Sequence, residues 1–268
     1  MEIFNTLPED RIQEIEDFLT FIPIYNSKRR ENAYRSLLKK NLDQIKGKTV
    51  CEAGAGRGIF SEYMLELGAE KVYAVERSDA MLKILGATAS KSKQLEIVPG
   101  YIEDFEPEQT IDLLLHEFYG PLVLDETILA LRDLSFEPGT VLPDGGRLWA
   151  MPLSEATIRE KVSFYDPSWK EVLSDVLVSE FINPFTFEPT WEVFSWDVHS
   201  EATSFTFEVP EPCDFLVFCG EITHQGEQVL KMWWTNNWPL IFTPVRGDRC
   251  TFRFEYIDGF TDIFFEWA

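Results

Sequence analysis

Two glutamates nine positions apart, Glu117 and Glu126, stand in the stretch His116-Glu117-Phe118-Tyr119-Gly120-Pro121-Leu122-Val123-Leu124-Asp125-Glu126, directly after the apolar run Ile111 to Leu115. A strand end followed by a loop with two carboxylates is a place to hold a cation, and the planar fork of a guanidinium is the cation that two carboxylates hold best. Such a clamp would also change reactivity. A guanidinium spreads its charge over three nitrogens and does not lose a proton near neutral pH. Carboxylates on one side draw that charge toward the nitrogens they touch and leave more electron density on the one that attacks. An exposed loop acid by itself is ordinary, so the pair gains weight only from its surroundings.

A second constellation lies upstream. Val50-Cys51-Glu52-Ala53-Gly54-Ala55-Gly56-Arg57-Gly58 is a strand end running through glycines into a helix. Glycines let the backbone turn tightly and approach a ligand, and free amides at a helix start favour anionic or polar groups. A dinucleotide fingerprint would place its third glycine at 59, where Ile59 stands, which disfavours a nicotinamide cofactor. About twenty residues on, Val72-Tyr73-Ala74-Val75-Glu76 ends a second strand in an acid that can accept both ribose hydroxyls of an adenosine-containing ligand. Glu103-Asp104 follows the Leu95 to Val98 run and is placed to meet an adenine amino group.

These groups need a scaffold that brings strand ends together. Asn26 to Gln44 reads as a helical stretch, Thr49 to Ala53 as a strand, Ile59 to Leu67 as a helix and Lys71 to Val75 as a strand. Helix Ala80 to Ala89, strands Leu95 to Val98 and Ile111 to Leu115, helix Leu124 to Leu134 and strand Arg147 to Met151 continue the series. Strands separated by helical runs indicate an open, parallel α/β sheet. Beyond Met151 the pattern changes to period-two alternation, as at Phe205, Phe207, Val209 and at Phe252, Phe254, Tyr256, which predicts a β-rich second domain. The expected division is 1–45, a helical segment over the cofactor; 46–151, the cofactor-binding α/β domain; and 152–268, the β-rich domain.

In this order, the glycine loop, Glu76, Glu103, Glu117 and Glu126 resemble the class I S-adenosylmethionine methyltransferases, and within them the protein arginine methyltransferase family. Arg30 with Tyr34 four residues later is similar to the family's upstream helix, whose Arg pairs with the methionine carboxylate. Trp234-Thr235-Asn236-Asn237-Trp238 resembles its Thr-His-Trp loop, with Asn237 at the place of the His. Phe118-Tyr119 replace the usual Trp-Met. The resemblance implies a Rossmann-like domain followed by a β-barrel-like substrate domain, S-adenosylmethionine as cofactor, and arginine in a protein or peptide as substrate. It implies that Arg30, Glu52, Gly54, Gly56, Gly58, Glu76, Arg77, Ile102, Glu103 and Glu117 line the cofactor. Glu117 and Glu126 are then catalytic, and Tyr34, Tyr119, Asn237 and Trp238 line the substrate. A small guanidino compound such as free arginine as substrate, and an inactive regulatory subunit, are the alternatives. The family's helical dimerisation arm is short here, with Ser168 to Leu173 as its helical candidate between Val162 and Asn183, so a monomer or a homodimer built on another surface is expected.

Composition narrows the classes. Of 268 residues, 24 are Lys or Arg and 46 are Asp or Glu, a formal charge of −22, which repels phosphate backbones and anionic lipid surfaces. No nucleic-acid or membrane partner is expected. Cys51, Cys213, Cys219 and Cys250 lack close paired spacing, and His116, His199 and His224 are scattered, so no metal is implied. The N-terminal stretch has neither a basic start nor an apolar core, so a cytoplasmic protein is expected. His116 is read as a strand-end residue, Arg57 as solvent-facing, and the tryptophans at 233, 234 and 238 as packing, with Trp238 the one suited to line a channel.

Overall fold

The structure, a computed structural model, describes residues 7–89, 92–162, 165–179, 186–235 and 237–268. Two compact units emerge. The first takes the chain up to Glu117 together with Ala130–Pro143, and the second takes Phe118–Leu129 together with Asp144 onward. The expected N-terminal segment 1–45 falls within the first unit. The second begins at Asp144 rather than after Met151, and it takes the loop between the two glutamates as well.

In the first unit, α1 (Glu9–Asn26) and α2 (Lys28–Lys40) precede a 3₁₀ turn at Leu42–Gln44. Then follow β1 (Thr49–Ala53), α3 (Ile59–Glu66), β2 (Lys71–Glu76), α4 (Asp79–Ala89), β3 (Leu95–Pro99), β4 (Leu113–His116) and β5 (Val141–Leu142). The strands form one sheet in the order β3-β2-β1-β4-β5, and every pairing in it is parallel. All five residues of β1 and all four of β4 are buried, as the central strands of a doubly covered parallel sheet must be. Strand order reverses between β1 and β4, and ligands of such sheets bind beyond the strand C-termini at that switch point. Gly54 follows β1 there, and Glu117 follows β4.

The second unit is antiparallel. It contains β6 (Gly145–Leu153), α5 (Glu155–Lys161), α6 (Trp169–Val172), β7 (Val178–Ser179), β8 (Trp191–Asp197), β9 (Ser204–Glu208), β10 (Phe215–His224), β11 (Glu227–Lys231), β12 (Ile241–Pro244), β13 (Arg249–Ile257) and β14 (Phe260–Trp267). One sheet runs β7-β12-β10-β6-β8 with β11 paired to β10, and a second runs β14-β13-β9. Aromatic side chains join the two sheets: Phe194 stacks on Phe205 at 4.0 Å between centroids, and Phe218 meets Phe252 edge-on at 5.2 Å. The alternation noted at Phe252 and Phe254 places both rings in this core. The turn between β13 and β14 is Asp258-Gly259 with both φ positive, the arrangement that matches the twist of a tight hairpin. The short helical candidate at Ser168 to Leu173 is present as α6. Residues 163–164 and 180–183 of the same segment, and Asn236 of the tryptophan loop, lie outside the described residues.

The expected helix Leu124 to Leu134 is absent. Only Thr127–Arg132 is helical, and it is 3₁₀. The reason lies just before it. The Val123 amide donates to Gly120 O at 2.8 Å, the Leu124 amide to Leu122 O at 2.9 Å, and the Leu122 amide to the Asp125 carboxylate at 2.8 Å. Val123 has φ +75°. These bonds hold residues 120–125 in a local turn with Val123 outside the helical φ range, so helical geometry begins only at Thr127 and the apolar periodicity of 124–134 is overruled.

Candidate active site

The glycine loop leaves β1 and enters α3 at Gly58, which caps the helix with φ +76°. Gly56 has φ +54°, a backbone conformation that favours glycine, and a Cβ there would also meet the Tyr25 hydroxyl. Tyr25 is thus laid on the loop by α1: its oxygen accepts the Arg57 amide at 2.9 Å, and the Arg57 guanidinium lies 5.4 Å from its ring centroid. Burial pushes the Tyr25 phenol up to about 12, against the Arg57 amide that favours the ionised form. Arg57 is solvent-exposed. Sequence reasoning did not single out Tyr25. Its signal is its place at the end of α1, just ahead of Arg30.

Beneath the loop, the buried Glu52 accepts both the amide of Ser61 at 2.6 Å and the Ser61 hydroxyl. Burial pushes its carboxyl up to about 8, with Ser61 opposing and the neighbouring Glu117 adding to the rise. Glu76, at the end of β2, is also buried. One of its oxygens accepts the Gly56 amide at 2.6 Å and the other the Ser78 amide at 2.7 Å. A carboxylate offers about four acceptor positions. Two remain on Glu76, enough for the two hydroxyls of a ribose. Arg77 is exposed, with its guanidinium 5.3 Å from the Tyr101 ring centroid; Ile102 is buried and Glu103 is half-buried in the turn after β3. Gly54 is exposed at the mouth of the loop.

Glu117 follows β4 at the same edge of the parallel sheet. One of its oxygens is ion-paired to Arg30 from α2. The other, Oε1, is buried and has no hydrogen-bond partner among the described residues. Burial drives the Glu117 carboxyl up to about 7, while the charge and hydrogen bond of Arg30 pull it down. An acceptor of this kind suits a cationic N–H donor, because a positive ligand would restore the ionised form. His116, last residue of β4, is buried, with Nε2 2.8 Å from Pro143 O. Burial lowers its pKa to about 4, so it is neutral and is a strand-end residue.

In the second unit, Tyr119 donates its hydroxyl to Gly145 O at 3.0 Å, and its carbonyl accepts the Trp238 indole N–H at 2.6 Å. Asn237 follows the 3₁₀ turn Met232–Trp234, and its Oδ1 is buried without a partner among the described residues. Glu126 is exposed, and its carbonyl accepts the Thr261 hydroxyl. Two substrate-lining expectations change. Tyr34 has no exposed surface and stacks on Phe60 at 5.4 Å in the first unit, and Tyr119 likewise has none. Both act as packing and anchoring side chains, because a ring without accessible area offers a substrate nothing to touch. Asn237 keeps a polar atom to offer, and Trp238, only 9% exposed, reaches this loop through its N–H.

The raised acids predict a pH dependence of stability. Glu52 at about 8, Glu117 at about 7 and Asp125, pushed up by burial to about 7, all bind protons more tightly in the folded chain than in the unfolded one. Between their ordinary values and these, the folded chain holds protons that the unfolded chain has released, so stability falls as pH rises. His116 opposes this between about pH 4 and 6.5, where only the unfolded chain takes its proton. Above that window the acids act alone. Tm should therefore fall from about pH 6.5 to about pH 8, and Glu52→Gln should flatten the slope. A midpoint that rises across this interval in a scanning calorimeter would contradict the burial of these groups.

Residues 51–126 match the methyltransferase domain family. Protein arginine N-methyltransferase 6 of Danio rerio is 31% identical over 144 residues, 51% of this chain and 41% of that protein. Probable protein arginine N-methyltransferase 6.2 of Oryza sativa subsp. indica is 28% identical over 196 residues, 68% of this chain and 50% of its own length. The chain thus spans about half the length of the curated relatives it matches. Among solved structures, protein arginine methyltransferase 10 of Arabidopsis thaliana superposes with a TM-score of 0.64 at 16% identity, over 91% of this chain and 96% of that one. The Trypanosoma brucei PRMT1 enzyme-prozyme complex with AdoHcy gives a TM-score of 0.60 at 19% identity, over 88% and 94%. The chain thus shares its fold with these solved structures, and its parallel-sheet half is similar in sequence to the methyltransferase domain family and to protein arginine N-methyltransferases.

Proposed function

We propose that the chain is an S-adenosylmethionine-dependent N-methyltransferase acting on the guanidino group of arginine in a protein or peptide. The observation that carries this reading is Glu117, a buried carboxylate at the end of β4 with one oxygen on Arg30 and the other without a partner among the described residues. When bound, S-adenosylmethionine supplies a methyl carried on a sulfonium sulfur. Glu76 would hold the ribose hydroxyls, Arg30 the cofactor's carboxylate, and the Gly54 to Gly58 turn its backbone edge. Arg77, Ile102 and Glu103 belong to the adenine side. Glu117 accepts a guanidinium N–H through Oε1, draws positive charge toward that nitrogen and so favours the lone pair of the one that attacks. Glu126 is the second carboxylate of the clamp. Burial raises the Glu117 carboxyl above an ordinary carboxylate, which makes it the more basic acceptor for the proton that the methylated nitrogen releases. The relatives' names support the reaction class.

Incubation with labelled cofactor and three pools, free arginine, basic peptides and cell lysate, followed by mass spectrometry, tests the reading. Label on arginine within peptides is the expected result. Label on free arginine alone would move the substrate to small guanidino compounds. One structural neighbour is an enzyme-prozyme complex, which favours an inactive subunit as the second reading. That reading predicts cofactor binding with no label in any pool until an active relative is added.

Asn237 separates pocket shape from proton handling. Its amide cannot carry a proton at physiological pH, so Asn237→His should raise turnover or change its pH dependence between about pH 6 and 8 if a base at this place assists. If the loop only shapes the pocket, the change should appear mainly in KM. A variant with wild-type kcat and KM across that range would remove Asn237 and Trp238 from the substrate loop.

A further inference from the structure

The segment that ends in Glu126 contains a backbone outlier. Val123 is β-branched and has φ +75°, and the Leu124 amide bonds back to Leu122 O across it. A two-residue closure with φ near +75° is the rare, strained form of the γ-turn, and a branched side chain in that region is disfavoured further. Such conformations persist only where the surroundings over-determine them, and they cluster at functional sites. Here the surroundings are specific. The Val123 amide is held by Gly120 O and the Leu122 amide by the Asp125 carboxylate. The two Val123 methyls sit in a notch made by glycines on the adjacent strands β6 and β10. A Cβ at Gly146 would lie 2.6 Å from Val123 Cγ1, and one at Gly220 would lie 3.1 Å from Cγ2 and 2.5 Å from Met232 Sδ. The approaches of 2.6 and 2.5 Å are closer than real atoms come without movement, whereas 3.1 Å asks the Val123 methyl to give by a few tenths of an ångström, so the glycine on β6 makes room for Val123 and the glycine on β10 chiefly for Met232 beside it.

We propose that Val123, seated between Gly146 and Gly220, is a positioning lock that holds Glu126 of the two-glutamate loop in its working place. The proposal rests on the function read above and adds the device that sets the second carboxylate. The backbone is committed on both sides of the turn: Tyr119 is tied to Gly145 and Trp238, and Glu126 to Thr261. An extended or helical path through residues 120–126 would lift the methyls out of the notch. A catalytic group displaced by about 1 Å can lose on the order of a hundredfold in rate, which gives the strain a use.

A double-mutant cycle tests it. G146A places a methyl 2.6 Å from Val123 Cγ1, and V123A removes that Cγ1. G146A should lower kcat by about tenfold or more while S-adenosylhomocysteine affinity by calorimetry stays within about twofold, the split expected of a group acting on turnover alone. V123A loses the seat and should also slow turnover. V123A/G146A should be faster than either single variant, because the new methyl then fills the space vacated, a coupling that independent damage would not show. Hydrogen exchange at the Leu124 amide reads the turn without any activity: protected in the wild type, faster in G146A, protected again in the double variant. Unchanged kcat in G146A, losses that simply add, or a Leu124 amide exchanging equally in all four proteins would each overturn the lock. A wild type without transferase activity would defeat the functional reading instead, and the exchange cycle would then decide on the turn alone.

Discussion

Glu117→Gln should keep S-adenosylhomocysteine binding and lose turnover by a factor on the order of 10² to 10³, the range found when one group that meets developing charge is removed. The amide retains the shape of the side chain but not the charge that polarises a guanidinium. The structure adds a consequence for the cofactor. Glu117 shares Arg30, so neutralising it leaves the Arg30 charge more available to the carboxylate of a bound cofactor. Affinity for S-adenosylhomocysteine should hold or rise, which calorimetry reads directly. Glu126→Gln should lower turnover without this gain, because no ion pair with Arg30 is lost. A Glu117→Gln variant that turns over at the wild-type rate would sink the clamp.

Glu76→Ala should act on the opposite side of the ledger, weakening the cofactor complex while leaving the guanidinium clamp in place. Loss of an ionised acceptor for two hydroxyls costs about 1.5 to 3 kcal/mol, or roughly ten- to a hundredfold in affinity. In this chain the same carboxylate also ties the Gly56 amide to the Ser78 amide. Its removal frees one buried and one half-buried donor and loosens the glycine loop, so the upper end of that range is expected. Glu76→Gln separates the contributions: its one carbonyl oxygen can still accept, but its NH₂ faces donors. Unchanged affinity in both variants would show that the ribose is held elsewhere.

Much of the first unit was legible in the chain itself. Thr49 to Ala53, Lys71 to Val75 and Leu95 to Val98 are apolar runs of strand length separated by helical periods, and each appears as a parallel strand of the sheet. The physical reason is that a parallel sheet sends every strand end to the same edge. Glycine loop, Glu76 and Glu117, each written just after a strand, are therefore gathered by topology without any knowledge of side-chain contacts. The β character of the chain beyond Met151 was legible for a similar reason, because period-two alternation is a local consequence of the pleat.

What only the tertiary structure decided lies in contacts that local pattern does not encode. Arg30 and Glu117 are 87 residues apart, and no spacing rule pairs them. Tyr25 rests on the glycine loop because α1 lays it there, and its hydroxyl occupies the space beside Gly56, whose φ of +54° already favours glycine. The rise of Glu52 and Glu117 toward neutrality comes from burial, a property of what the fold places around a carboxylate. The stretch after Glu117 shows the limit most plainly. Its apolar spacing predicted a helix from Leu124 to Leu134, yet the notch between Gly146 and Gly220 holds Val123 in a turn that intrinsic propensity opposes. Periodicity and strand-end chemistry determined the sheet and the chain order of its acids; long-range packing decided which of those acids are buried, which are paired and how the loop between them is held.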